Sequence, residues 1–388
     1  MSESEILAGE VAEPVERAVT PFELFFDLVF VFGFTQVTAL MAADPTPRGV
    51  LRGMLVLAAV WWAWGAYAWL ATTINLEEGS TRIVMIAVMA AMLVAALAAP
   101  HAFGGTGALF ASAYLVVRLL HLVLYAVAAR GQPELLASVL KLTPTAIAGP
   151  LLILAASFLD SGLREAVWIV ALVIDFAGPA LQDSGGWKLS PGHFSERHGL
   201  ILIVALGESV VALGVSAGNL DLNVRTITAA TLGILVITTM WWTYFDVVAI
   251  VAARRLAEAT GAEQAAIARD SYSYLHLPMV AAVMLFAVGV KKALPHAHDP
   301  LDWTPAATLC GGVSLYLVAH VLFRLRNVHT LSRQRLVTAV LLAAMIGLAS
   351  SVSALVLLAL VTATMTSLVA YEALRFREAR HRVRSAGG

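Results

Sequence analysis

The chain is 388 residues long, 60% hydrophobic and 13% charged, with a mean hydropathy of +0.82. A soluble domain carries roughly 25% charged residues, so these polar groups are too few to coat a soluble surface of this size. The net charge of −1 offers no field for nucleic acid, and the single cysteine, Cys310, excludes an intramolecular disulfide framework and a cysteine-rich metal site.

Residues 1–19 read as a short solvated tail. They are acidic (Glu3, Glu5, Glu10, Glu13, Glu16) and lack the basic start of a secretory signal. Apolar runs then follow near 20–42, 50–72, 83–100, 105–129, 135–159, 163–182, 194–217, 226–252, 269–290, 304–324, 335–351 and 353–374. Each is close to the length that crosses a bilayer, and Ser350, Ser351 and Ser353 supply a turn between the last two. Lipid cannot satisfy free backbone groups, so only helices suit such lengths. The expected fold is all-α, a polytopic membrane helix bundle of about twelve transmembrane helices.

Most basic residues, among them Arg82, Arg130, Arg254, Arg255, Arg324, Arg326 and the tail 375–388, fall on one side if the N-terminus is inside. Arg48, Arg52, Arg164, Arg225, Lys291 and Lys292 fall on the other. This bias predicts cytoplasmic N- and C-termini in a cell membrane. The basic tail reads as a stop-transfer cluster.

The first span opens on Thr20-Pro21-Phe22-Glu23, a capping box with Pro at the first helical position. Capping accounts for Glu23 and leaves Asp27, one turn deeper, unexplained. Thr20, Glu23, Asp27, Thr35 and Thr38 share about one third of the helix circumference. Charged groups avoid lipid, so this stripe should face protein or a water cavity. An ion pair with an arginine near the cytoplasmic end would explain Asp27 equally well.

The fourth span carries Arg118 and His121 on one face. Lys141 precedes Pro144, Gly149 and Pro150 in the fifth, and Asp175 precedes Gly178 and Pro179 in the sixth. These are kinks or broken helices that expose backbone to a cavity. The seventh span begins with the polar cluster His193-Phe-Ser-Glu196-Arg197-His198 and continues to Gly207-Glu208-Ser209, about 15 Å deeper. A carboxylate at that depth is costly. Glu208 therefore either pairs with a buried cation, for which Arg118 and Lys141 are the candidates, or stays protonated. His276 and His320 read as hydrogen-bonded core.

Thr20 to Phe32 (TPFELFFDLVFVF) resembles the opening motif of the bacterial low temperature requirement A family, and His193 to Gly214 (HFSERHGLILIVALGESVVALG) is similar to its second motif. The matching positions are Glu23, Asp27, Glu196, Arg197, His198, Glu208 and Ser209. The resemblance implies a multi-pass bacterial membrane protein linked to growth in the cold, and it brings no substrate or reaction with it.

The halves also resemble each other. Trp61-Trp62 matches Trp241-Trp242, Tyr114 to Arg118 matches Tyr316 to His320, and Glu23 corresponds to Glu196. Each match joins span n to span n+6, which predicts two parallel six-helix repeats at 20–182 and 193–374, joined by a linker at 183–192. The leading expectation is a secondary transporter whose ion- or substrate-binding residues are Asp27, Arg118, Lys141, Asp175, Glu208 and Ser209. Glu23, Glu196, Arg197 and His198 would form a cytoplasmic cluster. Two other readings stand beside it. One is a membrane enzyme acting on a lipid-like substrate with His198 as acid–base group; the other is a non-catalytic sensor or assembly factor. No metal or cofactor is expected. The expected partners are the bilayer, a small solute or ion, and a second copy of the chain.

Overall fold

The computed structural model describes residues 18–181, 187 and 189–385, and every regular element among them is helical. Nearly all of the N-terminal tail, most of the 183–192 linker and the last three residues lie outside the described residues. The elements are α1 (Pro21–Ala43), α2 (Pro47–Ala71), α3 (Gly79–Ala98), α4 (Gly107–Ala128), α5 (Pro133–Ala156), α6 (Ser161–Ala180), α7 (Pro191–Gly218), α8 (Val224–Phe245) and α9 (Val248–Glu258). Then come α10 (Gly261–Ala293), α11 (Trp303–Val328), α12 (Arg333–Ala344), α13 (Ala354–Arg375) and α14 (Arg377–Ser385).

Ten helices among the described residues are long and apolar enough to cross a membrane. Two expected spans are not among the ten. α6 carries Arg164, Glu165 and Asp175, and α12 stops after 12 residues and tightens into a 3₁₀ turn at Met345–Leu348. Apolar side chains such as Leu97, Val123, Leu140, Val173, Val211 and Ile227 remain exposed on the helix surfaces. Outward apolar faces on this scale suit lipid rather than water.

Helix starts follow local chemistry. α1, α2, α5 and α7 begin at Pro21, Pro47, Pro133 and Pro191, where the missing N–H costs nothing. The box at Thr20 forms as expected: Glu23 donates its backbone N–H to the Thr20 hydroxyl, and Thr20 N–H reaches Glu23 Oε2 at 2.9 Å. Pro144 and Pro150 sit inside the single helix α5, so they are tolerated there rather than breaking it.

Close approaches between helices depend on glycine, as at Gly149 and Gly289. A Cβ on Gly149 would lie 2.9 Å from the Asp175 Cβ, which pins α5 to α6. A Cβ on Gly289 would lie 2.5 Å from the Leu309 Cα, so α10 and α11 meet backbone to backbone. Both α10 and α11 contain a π-helical stretch, at Ala268–Tyr274 and Ala307–Gly311.

The basic C-terminus, read from the sequence as a stop-transfer cluster, forms α14 and docks on the end of α8. Arg380 pairs with Asp246 at 2.6 Å, Arg384 pairs with the same carboxylate, and Arg254 donates to the Val383 carbonyl at 2.5 Å.

Candidate functional site

α1 and α7 lie side by side and run in the same direction, in register. Glu23 meets His193, Asp27 meets Arg197 and Thr38 meets Glu208, and each pair is 170 residues apart. A constant offset across three contacts is possible only for parallel neighbours. On both helices the first two contact residues are four apart, so they stack on one face.

The lower part of this seam is a buried ionic latch. Arg197 is fully buried and holds Asp27 Oδ1 at 2.6 Å; Trp64 of α2 donates its indole N–H to the same oxygen at 2.9 Å. Glu23 accepts from His193 at 2.9 Å and lies 3.7 Å from the Arg197 guanidinium. Glu196 is exposed and caps the segment before α1, accepting from Val19 N–H at 3.2 Å. Two carboxylates thus share one guanidinium out of reach of water. Such a pair offsets its own desolvation only when geometry is good, and removing one partner leaves a stranded charge.

His198 lies beside the latch, not at an open headgroup level. Its Nδ1 faces the Phe194 carbonyl at 2.9 Å, and its ring is enclosed by Trp61, Trp64, Phe194, Tyr272 and His276 at 4.4 to 6.1 Å. Its Nε2 has no hydrogen-bond partner. His276 faces the Ser271 carbonyl at 3.0 Å, while Trp61 donates to the Ser273 carbonyl at 2.8 Å. Both carbonyls lie in the π stretch of α10, and ring nitrogens from α2 and α10 face them. No group of three metal-ligating side chains is gathered among the described residues.

Glu208 sits in the upper part of the seam and is 2% exposed. Thr35 donates to its Oε2 at 2.5 Å and Thr38 to its Oε1 at 2.8 Å. Lys291 of α10 donates to the Thr38 hydroxyl at 3.2 Å. No cationic side chain among the described residues lies within 4.0 Å of the carboxylate. Ser209, next in sequence, donates to the Val283 carbonyl of α10 at 3.2 Å. Glu208 of α7 is therefore held by α1, and α10 joins them through Ser209 and through Lys291 on Thr38.

Neither expected counter-ion reaches it. Arg118 is buried and pairs with Asp175 at 2.7 Å, with the Tyr114 hydroxyl 3.4 Å from the same carboxylate. Lys141 is exposed on the outer face of α5, where a long amine can extend toward the interface. The six expected binding residues thus fall into separate groups: Glu208 with Ser209, Arg118 with Asp175, Asp27 in the latch, and Lys141 alone on the surface. A cleft lined by Trp62, Trp69, His121, Tyr125 and Arg269 opens beside the Arg118–Asp175 pair.

The sequence sets Lys291 on the outer side, just past the expected end of its span. Helix α10 extends to Ala293, one turn beyond the expected end of that span, and carries it inward. The latch, by contrast, left a readable signal. Glu23 and Asp27 are spaced like His193 and Arg197, as two ladders of opposite charge would be.

The family model for the bacterial low temperature requirement A protein matches residues 18–370. The chain is also 30% identical over 307 residues to a protein of Rhizobium meliloti (strain 1021) described as "Uncharacterized protein RA0937", covering 76% of this chain and 74% of that one. No solved structure matches it. Both motifs that build the α1–α7 seam lie inside the matched region, and the chain belongs to the bacterial low temperature requirement A family.

Proposed function

We propose that this protein is a membrane carrier in which Glu208 takes up and releases a coupling proton. The observation that carries the reading is the shell around Glu208: two threonine hydroxyls, with the nearest cation one hydroxyl away. A carboxylate locked to a guanidinium cannot change charge cheaply, whereas one held by neutral hydroxyls can accept a proton in place. Protonation would weaken the pull on Lys291 and leave its ammonium free for an anionic solute or for water. The two states then differ in charge and in the position of a long side chain.

The reading includes twelve helices in two parallel halves. Under the match of Trp61-Trp62 with Trp241-Trp242 and of Tyr114 with Tyr316, the cleft residues Trp62, His121 and Tyr125 correspond to Trp242, Phe323 and Asn327. The second set also lines a cavity, in the other half of the chain. Equivalent cavities in two halves support a carrier built by duplication. The closed ring cage around His198 gives the enzyme reading no support of this kind.

Proteoliposomes loaded with a pH-sensitive dye and challenged with pools of small solutes test the proposal. The wild-type protein should move protons with at least one pool, and Glu208→Gln should not. A wild type inert to every pool, or a variant with undiminished coupled flux, ends the reading.

A further inference from the structure

The cavity in the second half has a volume of about 550 Å³ and lies between α8, α9, α11, α12, α13 and α14. Its floor is the start of α12. Ser332 is the N-cap of that helix, yet its side chain makes no capping bond. The hydroxyl is buried, lines the cavity and has no partner among the described residues. The first N–H groups of α12 have no intrahelical acceptor either, because the ladder begins with Leu336 N–H to the Ser332 carbonyl at 3.1 Å. Asn327, 3% exposed, donates to the Phe323 carbonyl and leaves its Oδ1 unpartnered in the same cavity.

The charges around this floor are unequal. Arg335 is spent on Glu372 through two bonds of 2.9 and 2.8 Å, and Asp246 is taken by Arg380 and Arg384. Arg324 remains at the rim. It donates to the Thr330 hydroxyl at 2.8 Å and has no carboxylate within 4.0 Å among the described residues. An exposed guanidinium bonded to Thr330 and without a carboxylate in ion-pair contact, an unpartnered hydroxyl and an uncapped helix N-terminus all converge on one space, and all are donors. This is the donor set that recognises a phosphate group. Asn327 Oδ1 adds one acceptor for a hydroxyl or amine on the same ligand.

We propose that this cavity binds a phosphate monoester or diester, held by Ser332, the start of α12 and Arg324. Helix α14 roofs the site through Ala379, Arg380 and Val383. Trp242, 37% exposed on the lateral wall, leaves room for a lipid headgroup as well as a soluble phosphoester.

The test uses the purified full-length chain, with affinity read from ligand-dependent thermal unfolding. The probes are glycerol phosphate, nanodiscs containing phosphatidylglycerol, nanodiscs of phosphatidylcholine alone, and sodium chloride at matched ionic strength. A saturable response to glycerol phosphate identifies a soluble ligand, and a response to phosphatidylglycerol alone identifies a headgroup; either supports the site. Arg324→Gln and Ser332→Ala should each weaken binding about tenfold. Asn327→Asp, which puts a carboxylate where the anion would lie, should abolish it. Should Ser332→Ala fail to fold, Arg324→Gln at the exposed rim decides alone. Equal responses to salt and phosphate, no saturable response to any probe, or unchanged affinity in the variants would overturn the proposal. Coupled proton flux through Glu208 is read separately, so either reading can fail alone.

Discussion

Thr38 donates its hydroxyl to Glu208 at 2.8 Å, and this contact has the same 170-residue separation as the Asp27–Arg197 ion pair at 2.6 Å. One pair of parallel helices therefore carries both a fixed charge pair and a carboxylate held by neutral groups. From Asp27 to Thr38 the seam rises eleven residues, about 16 Å, past the buried rings of Phe30 and Phe34. The latch fixes the register, and the register puts Thr38 opposite Glu208. Structural and exchangeable charges are thus separated along one seam.

Asp27→Ala should leave the Arg197 guanidinium in a dry site with only the 3.7 Å contact to Glu23, which His193 already engages. The expected loss is about 3–5 kcal/mol, and Asp27→Ala combined with Arg197→Leu should recover much of it. Thermal unfolding of the purified single and double variants checks this. Equal stability of the wild type and Asp27→Ala would deny the latch its role.

Thr38→Val keeps the shape of the side chain and removes the group that links Lys291 to Glu208. Coupled proton flux should fall roughly tenfold, while Thr38→Ser, which keeps the hydroxyl, should remain near wild type. The contrast between the two variants is the readout, since a packing role would tolerate valine better than serine.

Gly289→Val places a branched side chain where even a Cβ would stand 2.5 Å from the Leu309 backbone. Backbone cannot yield as a flexible side chain does, so the variant should lose at least about 1–3 kcal/mol or fail to assemble. Yield of monodisperse protein after extraction, compared with Gly65→Ala, where a Cβ meets nothing within 4 Å, measures the difference.

Asp246→Asn removes the carboxylate that binds both Arg380 and Arg384. Helix α14 should then detach, because its other described tether to α8 and α9 is the Arg254 bond to the Val383 carbonyl together with the Arg380 contact over the Trp242 ring at 5.8 Å. Limited trypsin digestion at Arg377 to Arg384 should become several-fold faster, read by mass spectrometry of the released peptide, with cleavage elsewhere unchanged.

Several features were legible in the chain itself. Thr20 and Glu23 are three residues apart, so their capping box needs no information from elsewhere. Glu208 lies in an apolar run, which sets its depth and burial. The turn at Ser350 to Ser353 and the helix start at Pro21 are local in the same sense. The partners of the buried charges were not legible. Arg118 lies 57 residues from Asp175, and Lys291 lies 253 residues from Thr38. Hydropathy assigns each side chain a depth, but many groups share a depth, and it says nothing of which helix faces which. The length of α10 was misjudged because Lys291-Lys292 ends the apolar run and Glu263, Gln264, Arg269 and Asp270 precede it, while the helix itself runs from Gly261 to Ala293.

By itself the sequence determined that helices form, that the first is capped at Thr20, and that Glu208, Asp27 and Arg197 are held inside the bundle, because these follow from contacts within a turn and from the cost of polar groups in lipid. Only the tertiary structure decided that α1 and α7 run parallel in register, that Arg118 belongs to Asp175, and that Lys291 approaches Glu208 through Thr38. Those pairings depend on helix rotation and neighbour order. Both are set by packing of the whole bundle, including backbone contacts such as Gly289 on Leu309.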